Sequence, residues 1–178
     1  MTSSDVTALR AGAVQDVAAR VGASYTGTPG GEARIGVVCA KFNGAITERL
    51  LDGVLAGLEA NGVKPAAVSV AWVPGAFELP LVARRLAEAG GMEAVVALGA
   101  VIRGDTAHFE YVAGQCASGL QRAALDTGVP IVFGVLTTET VEQALERSGE
   151  GPDNKGYEAA LTALEMVDLL AALPAPAG

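Results

Sequence analysis

A three-layer α/β/α sandwich around a parallel sheet of four strands is predicted by the pattern of apolar residues. Four short apolar runs, at 35–40, 67–73, 94–101 and 131–136, lack the strict alternation of a half-wet strand and read as strands covered on both faces. Each is parted from the next by a stretch with apolar residues at helical spacing. Strict alternation of strand and helix makes the strands parallel and the crossovers right-handed. The length of 178 residues suits one domain. The expected division is an N-terminal arm and linker at 1–33, with room for an extra strand, one α/β domain at 34–173, and a tail at 174–178.

The elements follow in order. In the arm, Val14, Val17, Ala18 and Val21 make at most a turn or two of weakly amphipathic helix, and Gly27 to Gly31 reads as a linker. The run Ile35 to Ala40 is the first strand and ends in Lys41-Phe-Asn-Gly44. Ile46 to Ala60 is a helix with Leu50, Leu51, Val54, Leu55 and Leu58 on one face, stopped by Asn61-Gly62. Ala67 to Val73 is the second strand and Pro74-Gly75 a turn. Ala76 to Ala89 is the second helix, with Pro80 tolerated in its first turn. After the third strand, Phe109, Val112, Ala113, Cys116 and Leu120 set a third helix that ends near Asp126. The fourth strand, Ile131 to Leu136, leads to Thr140-x-x-Gln143, a capping box opening a short helix to Arg147. A polar loop, Ser148 to Lys155, precedes a last helix, Gly156 to Leu173, with Leu161, Leu164, Val167 and Leu170 on its apolar face.

Composition narrows the function classes. A net charge of −8 argues against nucleic acid as a partner. Hydrophobic residues make up 51% and the mean hydropathy is +0.38, yet no run reaches the ~18 apolar residues of a membrane span. The apolar excess is expected to be buried between subunits. Cys39 and Cys116 sit in apolar contexts without metal-ligand spacing, as free thiols of a reducing compartment do. The opening Met1-Thr-Ser-Ser-Asp-Val has neither the basic nor the apolar region of a signal peptide, so a cytoplasmic location is expected.

The chemistry is expected at the C-terminal ends of the strands, where ligands bind in open α/β sheets. Phe42-Asn43, Gly75 to Glu78, Ala100 to His108 and Thr137-Thr138 fall there. The chain's one histidine, His108, falls in the first turn of a helix that starts at a strand's C-terminal end, with Asp105 and Thr106 where a cap belongs. An imidazole's ordinary pKa near 6.5 suits proton transfer at neutral pH. Gly99-x4-Gly104 has the glycine spacing of a phosphate loop, but Asp105 occupies the place of its lysine, which excludes a nucleoside triphosphatase. A smaller anion at the helix N-terminus fits. Phe42 reads as a core aromatic or as a platform for a flat polar ring, and Glu78 as a partner of its helix dipole or of substrate hydroxyls. One histidine without paired carboxylates builds no metal site, and no Ser or Cys sits in a nucleophile elbow.

Trp72-Val-Pro-Gly-Ala-Phe-Glu-Leu-Pro80, Gly99-Ala-Val-Ile-Arg-Gly-Asp-Thr-Ala-His-Phe-Glu-Tyr-Val112, Phe133-Gly-Val-Leu-Thr-Thr-Glu139, Glu142-Gln-Ala-Leu-Glu-Arg147 and Asn154-Lys-Gly156 together resemble the 6,7-dimethyl-8-ribityllumazine synthase family. The resemblance runs in order from about Ile35 to Leu170. It implies a flavodoxin-like topology and the penultimate step of riboflavin synthesis. In that step 5-amino-6-(D-ribitylamino)uracil condenses with 3,4-dihydroxy-2-butanone 4-phosphate, without metal or redox cofactor. By position it implies that Phe42 stacks on the pyrimidine, and that Ala76, Phe77 and Glu78 hold the ribityl chain. Ala100, Val101 and Ile102 would bond the uracil edge, and Asp105, Thr106 and Arg147 would surround the phosphate. His108 would move protons, while Phe133, Lys155 and Arg147 would come from a neighbouring subunit. The family also implies a pentameric ring, stacked in some members into a sixty-subunit shell. Two other classes share such a fold: a shell that binds riboflavin or lumazine without making it, and a flavodoxin-like electron carrier.

Overall fold

In the computed structural model, residues 12–31 and 33–174 are described. The expectations for Met1 to Val6 and for the tail beyond residue 174 lie outside them. The elements are α1 (Ala13–Ala18), β1 (Ile35–Ala40), α2 (Gly44–Ala60), β2 (Val68–Val73), α3 (Leu79–Glu88), β3 (Ala94–Ile102), α4 (His108–Thr127), β4 (Ile131–Thr138), α5 (Val141–Arg147) and α6 (Lys155–Ala172).

The four strands are parallel in the order β2-β1-β3-β4. Register sets which side chains share a face: Ile35, Val37 and Cys39 of β1 pair with Ala94, Val96 and Leu98 of β3. All six pack with Leu50, Val54 and Leu58 of α2 and Ala160, Ala163 and Leu164 of α6. The alternate residues Val38, Ala40, Val95, Ala97 and Val135 pack with Leu79 and Ala83 of α3 and Cys116 and Leu120 of α4. These two apolar layers bury strands on both faces, which is why β1 and β3 read as unbroken apolar runs.

Several boundaries shift from expectation for local reasons. The segment expected as one helix over 76–89 opens with a separate 3-10 turn, Ala76–Glu78, before α3 begins. Pro80 lies in the first turn of α3, where its missing N–H leaves no helical bond unmade. A second 3-10 turn, Pro65–Ala67, trims β2. β4 runs two residues past expectation because Val101 and Ile102 continue the ladder with Thr137 and Thr138. α2 begins at Gly44, two residues earlier than expected, after Asn43 in the left-handed region at φ 58°.

The apolar faces are narrower than the sequence pattern. Leu55 and Leu170 are exposed, and α6 packs through Ala159, Ala160, Ala163 and Leu164. Small residues there let α2 and α6 touch backbone to backbone: a Cβ at Gly156 would overlap the carbonyl oxygen of Leu50. Asn154 locks the junction. Its Nδ2 donates to the carbonyls of Arg49 at 3.0 Å and Gly149 at 2.7 Å, and its Oδ1 accepts from the N–H of Gly156 at 2.7 Å. The linker is docked: Gly27 is buried against α6, and Thr28 donates its N–H and hydroxyl to Asp168 at 2.9 and 3.0 Å. No helix among the described residues is long and apolar enough to cross a membrane.

Candidate functional site

The chain moves from β1 to β2 on one side and then to β3 on the other, so the strand order reverses between β1 and β3. A crevice at the carboxyl ends of these two strands is the binding position such a sheet offers. Asn43 spans it, its Nδ2 donating to the carbonyl oxygen of Ala100 at 2.8 Å. The β1 end is tied to β2 as well, since the N–H groups of Lys41 and Phe42 donate to the carbonyls of Val73 and Pro74 at 2.9 and 3.0 Å. With the backbone held on both sides, Phe42 presents its ring to solvent at 72% exposure, which rules out the core reading of that residue. Phe77 is exposed beside the end of β2.

Glu78 is exposed, and one of its oxygens is already used: Oε2 accepts from the N–H of Gly75 at 3.0 Å, closing the 3-10 turn. The other oxygen has no protein partner among the described residues. Ala100 and Val101 are buried and Ile102 half-buried at the end of β3, so they offer the crevice backbone rather than side chain. The chain then leaves the sheet through an exposed turn, 103–107. The helix that follows starts at His108, not at the Asp105–Thr106 step. Thr106 supplies the local contact, its Oγ1 accepting from the N–H of His108 at 3.4 Å, while the Asp105 side chain caps nothing. His108, Asp105 and Thr106 are all exposed. Phe42, Ala76 to Glu78, Ala100 to Ile102 and Asp105 to His108 thus lie along the ends of three adjacent strands.

Phe133, Arg147 and Lys155 are gathered elsewhere. They line a groove of ≈ 680 Å³ along β4, whose outer edge pairs with no strand among the described residues, between α4 and α6. None of the residues at the ends of β1, β2 and β3 lines it. Arg147 ends α5, which Thr140 caps by accepting the N–H of Gln143 at 3.2 Å. The return bond of the expected capping box lands one residue early, from the N–H of Glu139 to Gln143 Oε1 at 2.9 Å. Arg147 Nη1 donates to the carbonyl of Gln143 at 2.9 Å, and Lys155 Nζ pairs with Glu158 at 2.5 and 2.7 Å. Among the described residues no three His, Cys, Asp or Glu side chains gather closely enough to hold a metal ion.

The sequence reading put two further residues of this region on the strand-end rim without giving either a role. Asn43 bridges the crevice, and Arg103 ties the turn before His108 to its surroundings. Asn43 carried a signal, an asparagine before the first helix in a position tolerant of positive φ. Arg103 carried none, because both carboxylates it meets are set by the fold.

The family model for 6,7-dimethyl-8-ribityllumazine synthase matches residues 32–171. Relatives named 6,7-dimethyl-8-ribityllumazine synthase are similar over most of the chain. One from Thermus thermophilus is 59% identical over 140 residues, 79% of this chain and 89% of its own. One from Edwardsiella ictaluri is 55% identical over 145 residues, 81% of this chain and 93% of its own. One from Protochlamydia amoebophila is 54% identical over 138 residues, 78% and 80% respectively. With the parallel sheet in place and the match spanning every strand and α2 to α5 in full, the chain belongs to the 6,7-dimethyl-8-ribityllumazine synthase family.

Proposed function

We propose that this chain condenses 5-amino-6-(D-ribitylamino)uracil with 3,4-dihydroxy-2-butanone 4-phosphate to give 6,7-dimethyl-8-ribityllumazine, phosphate and water. The observation that carries the reading is the placement of His108, in a chain of this family, at the start of α4 beside the crevice between β1 and β3. The exposed Phe42 ring is a platform for the pyrimidine, and the free oxygen of Glu78 an acceptor for ribityl hydroxyls. The backbone of Ala100 to Ile102 faces the uracil edge. Thr106 and the first N–H groups of α4 attract the phosphate.

The uracil amine attacks the ketone, and loss of water gives an imine. Elimination then expels phosphate and leaves a carbonyl, on which the second nitrogen closes the ring with loss of a second water. Each step moves a proton, which His108 can take or give near neutral pH. Holding two substrates together supplies much of the remaining acceleration, up to ~7–11 kcal/mol in favourable systems. Phe133, Arg147 and Lys155, gathered in a groove that no residue of this crevice lines, complete the site of a neighbouring copy. Arg147 presents its planar fork to the phosphate. This requires a homo-oligomer, a pentamer with closure into a shell as a further step. Its exposed apolar residues, among them Trp72, Val70, Leu81 and Leu125, are surface for such contacts. The reaction belongs in the cytoplasm, where the free thiols Cys39 and Cys116 stay reduced.

Mixing the protein with both substrates tests the reading. Lumazine absorbance should appear together with an equal amount of phosphate. Binding of the uracil without product would leave the non-catalytic shell as the correct class.

A further inference from the structure

Arg103, between β3 and His108, is a charged residue that the proposed reaction leaves unused. Its N–H donates to the carbonyl of Thr138 at 2.9 Å, so its backbone is fixed at the end of the β3–β4 ladder. Its side chain joins three groups from two other places in the fold. Nη1 lies 2.7 Å from Glu110 Oε1 in the first turn of α4. Nε lies 2.7 Å from Glu139 Oε2, in the turn between β4 and α5. The guanidinium carbon stands 4.2 Å from the centre of the Phe109 ring, also in the first turn of α4. His108 precedes Phe109 and Glu110 directly, so two of the three contacts grip the residues next to the imidazole.

An isolated exposed ion pair adds little. Here a planar fork meets two carboxylates and a ring face at once, and a network of that kind constrains direction as well as distance. The turn it spans is otherwise held by local bonds, His108 N–H to Thr106 Oγ1 at 3.4 Å and Glu110 N–H to the Ala107 carbonyl at 3.1 Å. We infer that Arg103 is a positioning residue: its guanidinium fixes the first turn of α4 against the β4–α5 turn and thereby sets where the His108 imidazole stands. The inference rests on the synthase reading given above. Lysine cannot replace Arg103, because a single ammonium lacks the fork that holds both carboxylates.

The test compares Arg103→Ala and Arg103→Lys with the unchanged protein, each also in a His108→Ala background. Turnover is read with both substrates, and hydrogen exchange at the amides of residues 104–110. Arg103→Ala should lower kcat about 10-fold, the low end of what a misplaced proton-transfer group forfeits. KM for the ribitylaminouracil should stay within about twofold, since Phe42 and Glu78 are untouched, and exchange at 104–110 should rise. Arg103→Lys should recover little of the lost turnover. In the His108→Ala background the same replacement should change turnover less than about twofold, because the group it positions is gone. An equal loss in both backgrounds, or unchanged turnover and exchange in Arg103→Ala, would overturn the inference. Should Arg103→Ala fail to assemble, Arg103→Lys is read by the same criteria. An unchanged protein that makes no lumazine overturns the synthase reading and this role with it. An active protein with additive variants overturns this role alone.

Discussion

His108 follows β3 and Glu78 follows β2, with β1 between the two strands, and the two residues do different work. His108 is exposed and makes no side-chain hydrogen bond among the described residues, so its imidazole is available to substrate. Replacement by Ala should lower turnover ~10- to 10²-fold while leaving ribitylaminouracil affinity nearly intact, since the imidazole moves protons rather than anchoring the ring. Steady-state kinetics with each substrate varied in turn checks this. Glu78→Ala should instead raise KM for the ribityl substrate ~10- to 10²-fold, as expected for hydrogen bonds to a charged acceptor worth ~1.5–3 kcal/mol. The butanone phosphate should be spared, and the reverse selectivity would mean that the two half-sites are exchanged. The thiols give a pH effect. Burial pushes Cys39 from 9.0 up to about 12 and Cys116 to about 11. The unfolded chain releases these protons first, so stability is whole below pH ~9 and falls as pH rises toward the folded values. Denaturant titrations between pH 8 and pH 11, on the unchanged protein and on Cys39→Ala, should show a shallower alkaline decline in the variant.

Between elements, the tightest joint is that of α2 with α6. Gly53 and Gly57 on one helix face Asn154, Tyr157 and Ala160 at the start of the other, and Gly156 lies on the Leu50 backbone. Gly156→Ala forces the helices apart and should cost about 3 kcal/mol or more, above the usual range for a single added methylene group. Chemical denaturation measures it, and a loss under about 1 kcal/mol would show that α6 slides freely over α2. The consequence for function runs through the Asn154 junction, because Lys155 is the next residue and opens α6 into the β4 groove. α5 has the same design. Its Thr140 cap and the Gln143 return bond seat a helix of seven residues whose last residue is Arg147. Lys155 thus opens α6 beside its Asn154 cap, and Arg147 closes α5 at the end where Ser148 Oγ donates to the carbonyl of Ala144 at 2.9 Å.

For the assembled protein, the division of residues into a crevice at the ends of β1, β2 and β3 and a separate groove along β4 makes a quantitative prediction. In the proposed closed ring with head-to-tail interfaces, each site would pair His108 of one copy with Arg147 of the next. His108→Ala and Arg147→Ala are each damaged in every site when assembled alone. Unfolded together and refolded at equal amounts, they should restore about one site in four by random pairing over such interfaces. Activity rising toward that fraction supports the shared site. Activity equal to the mean of the two parents, with mixed rings confirmed by native mass spectrometry, would place both residues in one copy's pocket. Sedimentation of the unchanged protein should show an oligomer throughout, and a stable monomer would remove the neighbour from the mechanism.

Strand and helix order, the strand-end position of His108 and the family motifs were legible because each is a local signal. An apolar run, a helical spacing or a cap is written within a few residues of chain. Phe42 shows the limit of such signals: a lone aromatic after a strand suits a core or a platform equally, and only the anchoring of Lys41 and Phe42 to the end of β2 turned the ring outward. The single helix expected over 76–89 divided because the carboxylate of Glu78 folds back on Gly75, a choice between local structures that a periodicity does not resolve. The sheet order decided the rest. With β1 between β2 and β3, the crevice falls beside Asn43 and Ala100, while Phe133 lies on β4, the outer strand of the sheet. Arg103 meets Glu139, 36 positions away, and Gly156 meets Leu50 more than a hundred positions away. Contacts of that range come from how the layers close on one another, and hydrophobic periodicity carries no record of which element becomes the neighbour.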